Sequence, residues 1–400
     1  MNTESPLLKR IKRHITGPSH LFFVSTPPGF EQLCKDELMR LPIDSDGIKV
    51  LDGGVEFRGR LIDCYLANLH LRTANRVLFR MAGFNAPNFR RLEKYLMEIP
   101  WELYLKAESK PSVTVTARHS RIFHSDAIAE RVTESINSRK KAVPFITDGD
   151  SGPATQDIYI RSVNDHMTIS LDSSGDNLYK RGVKQHTGRA PMRETIAAAA
   201  LIRAGYNGDG IVFDPMCGTG TFSIEAAMIN RRIAPGWYRD FSFMSWPGFR
   251  PAQWAYIKRQ VEKEIRPTNN DLPCILANDK ELEMCEALSE TITEYGLDSS
   301  IRVINRDFFE LTPSDIYSYT KINQAGLIII NPPYGIRLGT RKGGIEVSSL
   351  ILKQLEQHYK GWRFALFSPE KRGFDRTKLR GDKTIIDHGG LKLVLFTGVV

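Results

Sequence analysis

Asn331, Pro332, Pro333 and Tyr334 form the segment of this 400-residue chain best suited to carry chemistry. They follow a strongly apolar run, residues 327–330, that predicts a buried strand. Two prolines fix φ and remove two backbone donors, so the turn is stiff and its carbonyls stay free to accept. The side-chain oxygen of Asn331 and the carbonyl of Pro332 can then both accept from one amino group. Tyr334 adds a ring face for a stacked base, so we expect a catalytic loop acting on an exocyclic base nitrogen rather than a plain proline turn.

The segment Asp214-Pro215-Met216-Cys217-Gly218-Thr219-Gly220 follows another predicted strand, residues 211–213. Its two glycines permit a tight turn and a close approach of a ligand to the backbone, and the helix behind them presents free N–H groups. A phosphate-binding P-loop would have Lys where this chain has Thr221, and a dinucleotide fingerprint would have Gly or Ala where it has Ser223. The segment therefore predicts a cofactor loop of another kind.

Asp279 and Asp307 each follow a further predicted strand. Asp279 can accept both hydroxyls of a ribose, is equally suited to be a helix N-cap, and has Glu281 as a neighbouring alternative. Asp307 can accept from an adenine amino group while Phe308 packs on the ring, although an aspartate at a strand end is also common as a cap. Both positions are candidates for binding an adenosine moiety.

Short apolar strands alternate with helices from residue 191 onward. The predicted strands are residues 211–213, 275–277, 301–304, 327–330, 364–367 and 391–396, and the predicted helices are residues 195–204, 222–230 and 281–295. This alternation predicts an α/β fold with a doubly wound, mostly parallel sheet. Ligands of such sheets bind outside the carboxyl ends of the strands, which is where the segments described above lie.

Smaller α+β elements alternate over roughly the first 170 residues. The predicted strands are residues 21–24, 48–50, 113–117, 157–163 and 167–171, and the predicted helices are residues 30–41, 61–76 and 125–141. A stretch rich in Gly, Ser and Lys, residues 172–189, predicts a connection to the second half.

An insertion separates the glycine segment from Asp279. About 60 residues lie between Gly220 and Asp279, where a compact Rossmann unit has about 20. The excess, residues 230–271, carries Trp237, Trp246 and Trp254. It suits either a substrate-contacting lid or a structural cap.

The net charge of +9 is unevenly distributed: residues 1–190 hold 28 Lys and Arg against 22 Asp and Glu, a net +6. A basic surplus attracts polyanions whatever their sequence. Five cysteines without a CxxC pair or a His/Cys ligand spacing predict reduced thiols and no metal site. No apolar run reaches the roughly eighteen residues of a membrane span, and the start of the chain lacks a secretory-signal pattern. We therefore expect a cytoplasmic protein with no membrane contact.

These segments resemble the class I methyltransferases that modify amino groups of bases. Within that class the chain is similar to the THUMP-domain RNA methyltransferases, close to the bacterial large-subunit rRNA guanine-N2 enzymes. Residues 214–220 match the first cofactor loop of that family and residues 331–334 its catalytic loop. Residues 171–182, 190–195 and 233–236 are also similar, so the resemblance covers the chain from about His20 to the end.

The resemblance implies an arm and a ferredoxin-like subdomain over residues 1–70, a THUMP RNA-binding domain over 71–170, a connector over 171–190 and a Rossmann-like methyltransferase domain over 191–400. It implies S-adenosylmethionine as cofactor and RNA as partner, namely large-subunit rRNA or its precursor. The implied cofactor-binding residues are Asp214, Pro215, Cys217, Gly218, Thr219, Gly220, Asp279, Asp307 and Phe308. The implied catalytic residues are Asn331, Pro332, Pro333 and Tyr334.

Three functions are compatible with this pattern. The first is methylation of guanine N2 in 23S rRNA, and the second is methylation of adenine N6 in DNA or RNA, since the catalytic loop fits either amino group. The third, a non-catalytic RNA-binding protein with a decayed site, is disfavoured by the intact glycine segment and Asn331. A cysteine nucleophile is disfavoured because Cys217 lies in the cofactor loop and no cysteine follows Pro332.

Overall fold

The computed structural model describes residues 5–147, 154–183, 192–267, 274–333, 341–369, 374 and 377–400. For residues 45 and 341–346 it describes the backbone alone. The described residues form two compact units. The first comprises Met1–Thr26, Cys34–Leu178 and Arg239–Lys258, and the second comprises Pro27–Leu33, Tyr179–Tyr238 and Arg259–Val400. Each unit therefore combines stretches of chain that are distant in sequence.

The first unit is built on a seven-stranded sheet. Its strands are β1 His20–Ser25, β2 Lys49–Leu51, β3 Gly54–Gly59, β4 Arg76–Asn85, β5 Lys110–Arg118, β6 Thr155–Val163 and β7 His166–Asp172. They are arranged in the order β2-β3-β1-β4-β7-β6-β5, with β5 and β6 parallel and the other neighbours antiparallel. The first four strands, with a helix before β2 and another before β4, form a ferredoxin-like βαββαβ arrangement.

Helices that lie wholly or mostly in the first unit are α1 Pro6–Ile11, α2 Glu31–Met39, α3 Leu61–His70, α4 Phe89–Glu98, α5 Ser125–Ala142 and α8 Pro251–Glu264, and a π-helical turn, Lys12–Thr16, follows α1. The predicted helix over residues 61–76 is too long, because the chain leaves α3 after His70 and enters β4 at Arg76. β4 itself was not predicted. It pairs with β1 and β7, and this pairing over distant residues decides its conformation.

Residues 239–258 of the insertion pack within the first unit. Phe243 is fully buried and stacks on Tyr65 with ring centroids 4.3 Å apart. The indole N–H of Trp246 donates to the side-chain oxygen of Gln156 at 2.7 Å, and Trp254 packs edge-on against Phe243. Buried aromatic rings of this kind favour the structural-cap interpretation for this part of the insertion over a lid.

The second unit is also built on a seven-stranded sheet. Its strands are β8 Val212–Asp214, β9 Ile275–Asn278, β10 Ile301–Ile304, β11 Leu327–Ile330, β12 Arg363–Ser368, β13 Arg380–His388 and β14 Leu391–Val399. The order is β10-β9-β8-β11-β12-β14-β13, with the first five strands parallel and the last two antiparallel to their neighbours. The predicted α/β, Rossmann-like fold with a mostly parallel sheet is confirmed.

The helices of the second unit are α6 Glu194–Arg203, α7 Thr221–Asn230, α9 Leu282–Glu294, α10 Pro313–Thr320 and α11 Arg341–His358. Two hydrophobic clusters separate along the alternation of the central strands. Val212, Ile275 and Ile329 belong to one cluster, whereas Phe213 and Leu276 belong to the other. The sheet is therefore covered on both faces, which is why its central strands are apolar throughout.

Candidate active site

Four neighbouring parallel strands end at one edge of the second unit's sheet. β11 lies beside β8, β8 beside β9, and β9 beside β10. Since parallel strands direct their carboxyl ends to the same edge, the residues that follow them gather there. These are residues 215, 279, 305 and 331, so the segments singled out in the sequence share one edge.

The glycine loop turns sharply between β8 and α7. Gly220 has φ +83° at the N-cap of α7, and its N–H donates to the carbonyl of Cys217 at 2.8 Å. A Cβ at this position would meet Leu288 Cδ1 at 2.2 Å, whereas a Cβ at Gly218, where φ is +53°, would meet nothing within 4 Å. Gly220 is required by packing, and Gly218 leaves open space beside the backbone.

Replacing Gly220 by alanine is expected to destabilise the cofactor-free protein by about 2–5 kcal/mol, the sum of overpacking and a left-handed φ. Gly218→Ala, the matched variant, lacks the clash and is expected to lose only about 1–2 kcal/mol. Urea unfolding of both variants measures the difference. The double variant Gly220→Ala, Leu288→Ala should lose less stability than the sum of its two single variants, because the shortened Leu288 side chain removes the clash. Equal urea midpoints for the two single variants would show that Leu288 does not restrict this position.

Asp214 ends β8 and is fully buried. Its Oδ2 accepts from the Ser223 hydroxyl at 2.8 Å, while its Oδ1 is buried with no hydrogen-bond partner among the described residues. Burial, reinforced by the nearby charge of Asp279, raises the pKa of Asp214 to about 7. A buried, unpaired carboxylate oxygen is costly. Protonation, which the raised pKa favours, removes that cost, and so would a cationic donor of a ligand that displaces the groups covering Asp214.

Asn278 joins three loops and was not singled out in the sequence. Its side-chain amide donates to the carbonyls of Pro215 at 2.9 Å and Arg306 at 3.0 Å, and its side-chain oxygen accepts from the Arg306 N–H at 3.0 Å. Its backbone carbonyl accepts from the N–H of Cys217 at 2.9 Å. The sequence offered one signal for this role, namely the position of Asn278 at the end of an apolar strand.

Asp279 bonds to the glycine loop. Its Oδ2 accepts from the N–H of Gly218 at 2.8 Å and its Oδ1 from the N–H of Glu281 at 3.0 Å. The N-cap position of α9 is Glu281, so Asp279 is not the helix cap. Each of its oxygens keeps a second lone pair, and the side chain of Glu281 is exposed, so both acids stay candidates for ribose binding.

Phe308 lies in the hydrophobic core, unlike Asp307, which is exposed. Phe308 is 2% exposed and its ring packs near Phe213 and Tyr359. This placement leaves almost none of its surface for stacking on an adenine. Phe309, which is 40% exposed, is the aromatic ring available beside it. Asp307 accepts from the N–H of Phe309 at 2.9 Å and so also acts as a cap.

The segment after β11 starts at a half-buried Asn331 and continues through a buried Pro332 and a half-buried Pro333. Tyr334 lies outside the described residues. In the glycine loop, Pro215, Cys217 and Thr219 are buried, and burial raises the pKa of the Cys217 thiol well above its usual value. This cysteine is therefore held protonated.

A buried ion pair, also missed in the sequence, lies behind the glycine loop. Arg181 Nε donates to Glu225 Oε1 at 2.7 Å, and the side chains are 2% and 1% exposed. Glu225 belongs to α7, and Arg181 belongs to the connector. The pair fixes the connector to the helix that follows Gly220. A lone arginine in a polar stretch gives no pattern from which to predict it.

The described residues contain no group of three or more His, Cys, Asp and Glu placed to hold a metal ion. Among the helices in the same part of the chain, none has the length and apolarity that crossing a membrane requires.

Comparisons with known proteins match both halves of the chain. A family model described as the RMKL-like methyltransferase domain matches residues 181–386, and one described as the RlmL ferredoxin-like domain matches residues 21–78. The ribosomal RNA large subunit methyltransferase K/L of Syntrophotalea carbinolica is 31% identical over 87% of this chain and 49% of its own length. The chain thus spans about half the length of the K/L relatives that it matches.

Two further similarities extend over nearly the whole of both chains. A Synechocystis protein provisionally named RNA methyltransferase slr0064 is 28% identical over 94% of this chain and 95% of its own. SMU.472, a provisionally assigned methyltransferase solved in complex with SAH, has a TM-score of 0.82 and 25% identity, covering 95% of this chain and 98% of its own.

Proposed function

Because the chain belongs to the RMKL-like methyltransferase family, we propose that it transfers a methyl group from S-adenosylmethionine to guanine N2 of large-subunit rRNA. The observation that carries the proposal is the placement of two loops. The glycine loop after β8 and residues 331–333 after β11 leave neighbouring parallel strands at the same edge. A methyl donor and an amino group bound by these loops would be adjacent.

The residues of the glycine loop fit the methionine part of this cofactor. The open space at Gly218 admits a ligand close to the backbone, and the Oδ1 of Asp214, which has no partner among the described residues, would accept from the α-ammonium group. Pro215, Cys217, Thr219 and Gly220 complete the loop. When bound, the cofactor supplies a methyl group activated by a positively charged sulfur. SMU.472, solved with SAH, supports this assignment.

The adenosine part is assigned to the loops after β9 and β10. Asp279 or the exposed Glu281 would accept from the ribose hydroxyls. Asp307 would accept from the adenine amino group, and we assign the flat contact with the ring to Phe309 rather than Phe308 because of their exposure.

Asn331 and Pro332 position the acceptor. The Asn331 side-chain oxygen and the Pro332 carbonyl would each accept one N–H of the base amino group, which orients its lone pair toward the donor. Pro333 keeps the turn rigid, and Tyr334 would stack on the extruded base. Positioning supplies most of the acceleration, and the protonated product amine loses its proton without a strong general base. The buried, protonated Cys217 thiol takes no part as a nucleophile.

RNA as substrate is supported by charge and by the relatives. Residues 1–190 carry a net +6, and the two curated relatives described above are named for rRNA and RNA methylation. We assign RNA binding to a THUMP domain over residues 71–170, whose first strand, β4, also completes the ferredoxin-like arrangement of the first unit.

Transfer of a labelled methyl group from S-adenosylmethionine to rRNA, tRNA and duplex DNA, followed by nucleoside analysis, tests the proposal. We expect label in large-subunit rRNA as N2-methylguanosine. Label in N6-methyladenine would support the second candidate function, because residues 331–333 accept either amino group. Label in duplex DNA alone would refute the RNA assignment.

A further inference from the structure

A small surface cavity in the first unit is lined by none of the residues assigned to the candidate active site. It has a volume of about 160 Å³, and its lining residues, all of them described, are Thr16, Arg60, Leu61, Ile62, Gly248, Arg250 and Gln253. They come from three separate stretches of chain: the π-helical turn Lys12–Thr16, the start of α3, and residues 239–258 of the insertion. The insertion thus completes the cavity.

The cavity is positively charged. Arg60 and Arg250 both line it, and none of its seven residues is acidic. Arg250 is held in place by a hydrogen bond from its Nη2 to the Thr16 hydroxyl at 2.8 Å. Asp63 accepts from the backbone N–H of Arg60 at 2.7 Å, and its charge offsets part of that of the Arg60 guanidinium. Two cations therefore face a space that one carboxylate neutralises only in part.

The dimensions suit a phosphate group. A volume of about 160 Å³ is many times the roughly 10–15 Å³ that a cavity needs to hold one water molecule by this measure, which leaves room for a phosphate group. Guanidinium groups bind phosphate oxygens through paired N–H donors, and Gln253 adds a neutral amide donor. The start of α3 at Leu61 adds a partial positive charge.

We propose that this cavity binds a backbone phosphate of the RNA substrate, an inference that rests on the proposed function. An extended polyanion is favoured over a free phosphate ion because the positive charge continues beyond the cavity. Lys12 and Arg13 are exposed in the same turn that contributes Thr16. A single ion needs only the two arginines, whereas a nucleic-acid backbone brings further phosphates to the neighbouring cations.

Fluorescence anisotropy of a labelled single-stranded RNA, titrated with the full chain over a range of NaCl concentrations, tests the proposal. Arg60→Gln and Arg250→Gln should each lower the slope of log affinity against log salt by about one. Each should also weaken binding by about tenfold near physiological salt. Arg40→Gln, which removes the same charge from an exposed arginine directly after α2, outside both the cavity and residues 71–170, is the matched control. Equal losses in all three variants would show diffuse attraction and overturn the proposal.

Gln253→Glu separates the charge of the cavity from the folding of the unit. It keeps both arginines and places a carboxylate in the cavity that they line, so the thermal midpoint should be maintained while RNA binding weakens by about tenfold. Wild-type RNA affinity in this variant would overturn the proposal. A second outcome would also overturn it: inorganic phosphate binds the wild type but not Arg250→Gln, while the arginine variants keep full RNA affinity. The cavity would then be a site for the free ion and not for RNA.

These measurements are independent of methyl transfer. A chain that shows the expected salt slopes but transfers no methyl group to RNA would refute the proposed function and leave the phosphate site in place. A chain that methylates RNA while the cavity variants bind normally would refute the phosphate site alone.

Discussion

Asn331→Ala is expected to lower the rate constant of methyl transfer by about 10²–10³-fold or more, while the dissociation constant of S-adenosylmethionine changes by less than about twofold. The variant removes one of two oxygens proposed to orient the acceptor amino group, and it leaves the glycine loop intact. Single-turnover transfer to rRNA measures the first quantity and calorimetric titration with the cofactor the second.

Asn305→Ala is the matched control for this experiment. Asn305 follows β10 at the same edge, and its side-chain amide donates to the carbonyl of Asp279 at 2.8 Å. Its loss removes an amide of the same size without touching the proposed acceptor site, so most of the activity should remain. Full activity of Asn331→Ala would show that the turn after β11 does not bind the reacting group.

Asp214→Asn is expected to raise the dissociation constant of S-adenosylmethionine by about 10–100-fold, the loss of a charge-assisted hydrogen bond in a buried site. The same variant should stabilise the cofactor-free protein at pH 8, because it removes a buried carboxylate whose Oδ1 has no partner in the described part of the chain. Each unit of pKa corresponds to about 1.4 kcal/mol. The variant also leaves an amide N–H unpaired, and after this penalty is subtracted the expected gain in the free energy of unfolding is about 1–3 kcal/mol.

The pH dependence has a defined sign. Burial raises the pKa of Asp214 from 3.8 to about 7, so its contribution to folding is fully present below about pH 4 and is lost as the pH rises to about 7. Thermal midpoints of Asp214→Asn and wild type should therefore diverge between about pH 5 and pH 7, the upper part of that window, and differ by a constant amount above it. Cofactor affinity of the wild type, divided by that of the variant, should rise over the same interval. Parallel curves for the two proteins would refute the assignment of an ionised Asp214 to the cofactor.

The central strands of the second unit and the order of its loops could be predicted because these strands are apolar on both faces and short. β8, β9 and β11 lie within one residue of their predicted bounds, and so does β10 at the edge of the sheet. The loops that follow them could be singled out because glycine widens and proline narrows the range of backbone conformations, so both residue types indicate turns in the sequence. For these strands and loops, the residue types of short segments were sufficient for the prediction.

The parts that were missed depend on contacts between distant residues. β13 escaped prediction because it is an exposed edge strand with few apolar residues, stabilised by pairing with β14. The sequence Phe308-Phe309 does not state which ring enters the core, since that depends on Phe213 and Tyr359. Asn278 likewise acquires its role only when three loops meet.

Each of the two units contains stretches of chain that are distant in sequence, and this limits how the protein can be divided into fragments. A fragment beginning at residue 179 would retain Phe241, Phe243 and Trp246 but lose Tyr65 and Gln156, the side chains against which Phe243 and Trp246 pack. Its exposed rings would favour self-association. A fragment ending at residue 178 would lack those rings and also Gly248, Arg250 and Gln253. A single cut would therefore isolate neither the proposed methyl transfer nor the proposed RNA binding, and internal point substitutions are the appropriate tools.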